Sequence, residues 1–325
     1  MRSGCAGFSG DCLQFKQRRE IAVTQSGDPG FISRVSAVQV RPLLVAEISH
    51  TPPEVYFDGE EWVWRTNCSS LKELDSSPVA YYRRYVAKDA PPKSSAAFDV
   101  GKLLHTWGEL LDGLDPSPFW SRAHKAPQQH VTATGQMAKS AAERIATLPA
   151  DAIPMAPAVM SMLEYQTAEL LRNPAVVDIL LASTDREFNI AFDIDGHPCK
   201  CRVDGATAEF FYDFKTTRDF EPTQTFHYAC RDYKYDLQAA FYMIAGMQLG
   251  WPRHQMRFIA TSTTYPHHNC VMTLPKEVIR EAEKRVYALL KELEQRRNLD
   301  WWTPAYYGQV IEMDARHFQK GGRGW

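Results

Sequence analysis

The chain has 325 residues, 44% hydrophobic and 23% charged, the balance of a soluble globular protein whose core needs no disulfide staples. A net charge of −2 excludes a globally basic nucleic-acid binder, so an anionic partner has to be held by a local basic groove. No apolar run approaches a membrane span, and the N-terminal MRSGCAGFSGDCLQF lacks a signal-peptide core, which predicts a cytoplasmic protein without membrane contact.

In chain order, residues 1–55 mix Gly, Ser and Pro without sustained periodicity and read as a poorly ordered leader with one short strand, Val38–Val45. Phe57 to Trp64 is expected to form a hairpin around Asp58-Gly59. Asn67, Ser69 and Ser70 are N-cap candidates for a helix through Leu71–Leu74, broken by Ser77-Pro78 before a second begins near Tyr81. Phe98–Leu111 has Val100, Leu103, Leu104, Trp107 and Leu111 at helical spacing. Further helices are predicted over 136–147 and 157–173.

From Glu187 the period falls to two. Glu187–Ile194, Cys199–Ala206 and Glu209–Thr216 read as consecutive strands, with turns at Asp195-Gly196 and near Asp204-Gly205. A helix over Tyr235–Leu249 ends at Gly250-Trp251-Pro252. Strands at Gln255–Ser262 and Asn269–Leu274 and a helix at Lys276–Arg297 follow. The order gives an α/β (α+β) fold, a mixed central sheet flanked by helices, over 56–300, with 301–325 as a tail.

The seven cysteines, at 5, 12, 68, 199, 201, 230 and 270, form no CxxC pair. They read as free, mostly buried thiols, which argues against a zinc or iron–sulfur site.

The chemistry concentrates in YDFKTT, 212–217. Strand alternation puts Asp213 and Lys215 on one face, and Asp204 ends the preceding strand. Two carboxylates brought together suit a hard cation, Mg²⁺ or Mn²⁺. A metal polarises a phosphoryl oxygen and acidifies its water, and a lysine orients the attacking water and balances developing charge. The Phe214 carbonyl, between Asp213 and Lys215, is a further candidate ligand.

These residues resemble a known set. Arg202-Val203-Asp204-Gly205 followed by Tyr212-Asp213-Phe214-Lys215 is similar to the core of the PD-(D/E)XK nucleases, with a restriction-endonuclease-like fold. Gln238-Ala239-Ala240-Phe241-Tyr242 resembles the QxxxY helix of the RecB/RecE-like branch, and Gly101-Lys102-Leu103-Leu104-His105 its GxxxH helix. Ser69 to Tyr81 is also similar, and the likeness, strongest to the RecE-type nuclease domain of exodeoxyribonuclease VIII, spans about 60–297. Val203 stands where the literal PD motif has proline. Only Cys270 follows the core helix, which disfavours the iron–sulfur branch.

The resemblance implies a role for each matched position. Asp204 and Asp213 would bind the metal, Lys215 would be the catalytic lysine, and His105 would project toward the metal. Gln238 and Tyr242, with Tyr235 nearby, would contact DNA or support the site. Neither Gln238 nor Tyr242 is charged, so neither is expected to be essential for metal capture. Glu187 is a further candidate carboxylate. The implied activity is an Mg²⁺-dependent exonuclease acting on double-stranded DNA ends in recombination or repair, with a homo-oligomer and a single-strand annealing protein as implied partners. The alternatives are a structure-specific endonuclease and a non-catalytic DNA-end-binding module.

Taken singly these residues read more plainly. Asp213 with Lys215 would be a solvated pair worth under about 1 kcal/mol. Asp204-Gly205 would be a turn, His105 a helix histidine, and Tyr235 and Tyr242 core aromatics. His267 and His268 read as a solvated turn, and Arg83-Arg84 and Arg296-Arg297 as helix faces able to meet phosphate.

Overall fold

The computed structural model describes residues 46–91, 96–126, 139–218, 225–251, 255–304 and 306–312. Its elements are β1 (Glu47–Ser49), α1 (Pro53–Asp58), β2 (Thr66–Asn67), α2 (Cys68–Ser76), α3 (Pro78–Tyr81), a π-type turn (Tyr82–Val86), α4 (Ala96–Leu110), α5 (Ser117–Trp120), β3 (Ala123–Lys125), α6 (Lys139–Ala146) and β4 (Ile153–Met155). They continue with α7 (Pro157–Arg172), α8 (Pro174–Leu181), β5 (Ser183–Ile194), β6 (His197–Thr207), β7 (Phe210–Thr217), α9 (Thr225–Asp232), α10 (Tyr235–Gln248), β8 (Gln255–Ser262), β9 (Asn269–Thr273) and α11 (Lys276–Leu299).

The central sheet runs β1-β5-β6-β7-β8-β9, with β2 added beside β6. It is mixed and mostly antiparallel, parallel only at β7–β8 and β2–β6. A parallel step needs a crossover, which α9 and α10 supply between β7 and β8. Alternation along the strands feeds two cores. Phe188, Ile190, Phe192, Phe211 and Phe258 pack with residues of α2, α10 and α11. Phe210, Tyr212, Phe214 and Ile259 pack with residues of α4, α7 and α8. Burying each such Leu or Phe contributes about 1.5–3 kcal/mol. The sheet therefore has a helical layer on each face, the mixed sheet flanked by helices that the periodicity predicts.

Local departures from the sequence reading have physical reasons. The expected Asp58-Gly59 hairpin is instead the end of α1: proline at its first positions and Glu54 in its first turn favour a helix. Within 1–55 the described part is ordered, because Ile48 pairs with Ile190 at the sheet edge; Val38–Val45 lies outside the described residues. Asp204-Gly205 lies inside β6, as the Cys199–Ala206 strand reading has it, and a Cβ on Gly205 would fall 2.0 Å from the Tyr212 ring. β5 starts at Ser183, four residues early, and the helices α8 and α9 carry too short an apolar pattern to be read. Within the predicted tail, Trp302 is buried and stacks on Tyr81 at 5.5 Å.

Candidate metal centre

Three acids lie on the neighbouring strands β5, β6 and β7. Arg186 pairs with Gly205 and Phe188 with Val203, a register that sets Glu187 opposite Asp204. Gly205 pairs with Tyr212, the last pair of that ladder before Asp204 and Asp213, whose charges act on each other. Both ladders are interrupted here. Glu187 adopts φ 45°, left-handed backbone in mid-strand, a costly conformation that persists only where its surroundings impose it. β6 and β7 stop pairing beyond Gly205 and Tyr212. There the Phe214 N–H donates to Asp204 Oδ2 at 2.7 Å instead of to a strand partner.

Helix α4 supplies the imidazole. A Cβ on Gly108 would meet the Phe214 ring at 2.7 Å, so glycine lets α4 close onto β7. One helical turn earlier, His105 Nδ1 lies 3.0 Å from Asp204 Oδ2 and 3.6 Å from Glu187 Oε1. Ligand atoms of His105, Glu187 and Asp204 all fall within 4.8 Å of one another. One imidazole with hard carboxylate oxygens fits a divalent cation of the Mg²⁺ or Mn²⁺ kind. Arg202 holds Glu187 from behind, Nε to Oε2 at 2.9 Å.

Asp213 is held from the opposite layer. Gln238 Nε2 donates to its Oδ1 at 2.7 Å, and Lys215 forms an ion pair with its Oδ2. Gln238 Nε2 also reaches the Tyr242 hydroxyl at 3.3 Å, and that hydroxyl donates to the Arg202 carbonyl at 2.7 Å. Tyr242 is thus buried beneath the site, where it props the strand carrying Asp204. The Lys215 ammonium stands 4.8 Å from the Tyr235 ring centroid and that of Lys72 5.3 Å. Lys72, Lys215, Tyr235 and Gln238 line a cleft of about 430 Å³ that opens beside Asp213.

The charges settle unequally. Burial raises the Asp204 carboxyl, but His105, Lys215 and the Phe214 N–H outweigh it and hold it below its ordinary value. Asp213 is lifted by burial and by the charge of Asp204, against the pull of Lys215. Glu187 is lifted chiefly by burial. Burial pulls the His105 imidazolium down, yet Asp204 and the contact with Glu187 push it up to about 10. Burial also works against Lys215, and Asp213 leads the groups that raise it and keep it charged. A proton on His105 and a cation among the carboxylates answer the same negative field.

The structure therefore brings together Asp204, Asp213, Lys215, His105, Glu187, Gln238, Tyr242, Tyr235 and the Phe214 backbone. Two contributors had no role in the sequence reading. Arg202 lies two residues before Asp204, and Lys72 sits on α2 in the run Ser69–Leu74; only the long-range fold shows what each touches. Other candidates are engaged elsewhere. Arg84 pairs with Glu73, and Arg83 with Asp89. His267, read as part of a solvated turn, is buried, with Nδ1 3.0 Å from the Ser262 carbonyl and its ring stacked on Tyr165.

Comparison with known proteins agrees with this fold. The profile of a PDDEXK-like domain of unknown function (DUF3799) matches residues 67–310. The crystal structure of a "Putative exonuclease" from Eubacterium rectale is similar in fold, with a TM-score of 0.57 and 12% identity, covering 83% of this chain and 98% of that one. No curated protein matches the sequence.

Proposed function

The chain belongs to this PDDEXK-like family, and from that premise we propose that it is a metal-dependent deoxyribonuclease that hydrolyses phosphodiester bonds at double-stranded DNA ends, in recombination or repair. One observation carries the reading: His105 meets the carboxylates of Glu187 and Asp204, Lys215 pairs with Asp213, and the charge of Asp204 acts on Asp213. A structural ion-pair cluster has no need to break two strand ladders at the same place.

His105, Glu187 and Asp204, with the Phe214 carbonyl and Asp213, would hold Mg²⁺, with Mn²⁺ as substitute. Such an ion supplies Lewis-acid polarisation of the phosphoryl oxygen and an acidified water. The protein's own groups do the rest. Phe214 N–H and His105 orient Asp204. Gln238 and Lys215 fix the two oxygens of Asp213. Lys215, kept charged, stabilises negative charge that develops on the phosphoryl group and positions the attacking water. The neighbouring cleft, with Lys72 and Tyr235 in its wall, offers the substrate a cationic and aromatic surface. The homo-oligomer and the annealing partner rest on the RecE-type resemblance.

Linear duplex labelled at either the 5′ or the 3′ end, compared with closed circular duplex, tests the proposal. Mg²⁺-dependent loss of label from linear DNA, with the circle spared, supports it. Full digestion in EDTA would sink the metal mechanism, and cutting of the circle would replace ends with internal sites as the substrate.

A further inference from the structure

Lys72 stands on α2, on the wall of the cleft beside Asp213. Its position is well fixed. Asn67 and Ser70 form a reciprocal cap at the start of the helix, and Leu71 and Leu74 are buried beneath it. The Lys72 ammonium donates to Gln238 Oε1 at 3.0 Å. At the other end of the same amide, Nε2 donates to Asp213 Oδ1 at 2.7 Å and to the Tyr242 hydroxyl at 3.3 Å. The amide is clamped between an ammonium and a carboxylate.

A glutamine amide has two nearly isosteric ends, one donor and one acceptor. Turned over, Gln238 would set its carbonyl against the Asp213 carboxylate, two acceptors facing each other in a buried place. An ammonium only donates, so Lys72 accepts contact with the carbonyl end alone and fixes which way the amide points. We infer that Lys72 is a positioning residue of the metal centre, which holds the Gln238 amide in the one sense that lets it orient Asp213. The inference rests on the nuclease reading for the role of Asp213. It extends that site to a helix distant in sequence: Lys72 and Gln238 are 166 residues apart.

The test is Mn²⁺ binding to the full chain, followed by electron paramagnetic resonance, with Mn²⁺ alone as the probe. Lys72→Met, close in shape but without a donor, is expected to weaken Mn²⁺ binding about tenfold, the range for groups that orient metal ligands. Lys72→Arg, still only a donor, is expected to restore most of it. Gln238→Leu should match Lys72→Met, and the double variant should be no weaker than either single one, because both remove the same orienting chain. Should Lys72→Met fail to fold, Lys72→Gln makes the same comparison, since an amide that both donates and accepts no longer fixes the sense of Gln238. Wild-type affinity in a folded Lys72→Met, or losses that add in the double variant, would overturn the inference. No Mn²⁺ binding by the wild type would overturn the metal-centre reading itself.

Discussion

The carboxylate of Asp204 occupies the place of a strand partner for Phe214, accepting its backbone N–H at 2.7 Å where β6 and β7 part. One side chain thus closes a gap in the sheet and faces the candidate metal centre. The two duties separate by substitution. Asp204→Asn keeps an oxygen acceptor for Phe214 but removes the charge. It is expected to stay folded with a melting temperature near that of the wild type, and to lose at least about 10²-fold in cleavage. Asp204→Ala leaves the buried N–H without a partner and should cost a further 1–3 kcal/mol or so of stability. Equal melting curves for the two variants would show that the Phe214 contact does not matter to the fold.

Cation binding should also register as stability. A ligand bound only by the folded state stabilises it by about 2.7 kcal/mol at a hundredfold excess over its Kd. Mn²⁺ or Mg²⁺ is therefore expected to raise the melting temperature of the wild type and to leave Asp204→Asn unmoved. Ca²⁺, also a hard cation, is expected to give a shift while supporting little cleavage. Identical shifts in wild type and variant would place the ion elsewhere.

Much of this centre was legible because its chemistry is local. Asp213, Phe214 and Lys215 sit within one strand, and Gln238 and Tyr242 within one helix turn, so alternation and helical spacing alone group them. His105 could be added only through the family resemblance, since nothing within α4 marks it apart from any other helix histidine. What stayed hidden depends on packing. The contact of Glu187 with His105 follows from α4 packing on the sheet, and the part played by Lys72 from the packing of α2 on α10. Gln238 reads from sequence as a group that contacts DNA or supports the site without being essential for metal capture; that its amide touches Asp213 follows only from the packing of α10. Asp204-Gly205 taken singly reads as a turn, yet it lies in the strand the alternation predicts. Asp-Gly favours turns, but here the glycine is required by the Tyr212 ring lying against it.

A second buried cation gives a pH signature away from the metal centre. Lys200 is 2% exposed, donates to the Tyr56 carbonyl at 2.6 Å and lies 4.4 Å from the Tyr56 ring centroid. Burial leads in lowering it to about 8, with Asp58 opposing. The unfolded chain holds its proton up to the ordinary lysine value, so between these two values the unfolded state binds more protons and stability rises with pH. Lys200→Met is expected to abolish that slope, so wild type should gain on the variant from about pH 8 toward 10.5. Denaturant titrations of both proteins across this interval check it; a constant difference would mean that Lys200 keeps its usual proton affinity in the folded chain.

Lys215 is the residue on which binding and chemistry should come apart. Its ammonium is paired with Asp213 and set near the Tyr235 ring, so it is fixed in place and charged. A charged ammonium cannot take a proton from water; its work is to donate hydrogen bonds and to offset negative charge. Lys215→Ala leaves His105, Glu187 and Asp204 intact, and these hold the principal ligand atoms. Mn²⁺ binding and metal-dependent affinity for duplex ends should therefore survive, weakened by no more than about tenfold, while single-turnover cleavage falls by about 10² or more, the scale for losing one charge-stabilising donor. Lys215→Arg keeps the charge but spreads it over a planar group that does not fit a point-charge site, and is expected to recover only part of the rate. Because the lysine acts as a cation and not as a base, the pH dependence of the residual rate in Lys215→Ala should follow that of the wild type. A loss of metal binding in Lys215→Ala would show that its main duty is to hold Asp213 in position, and an unchanged cleavage rate would reduce the pair to a buried salt bridge.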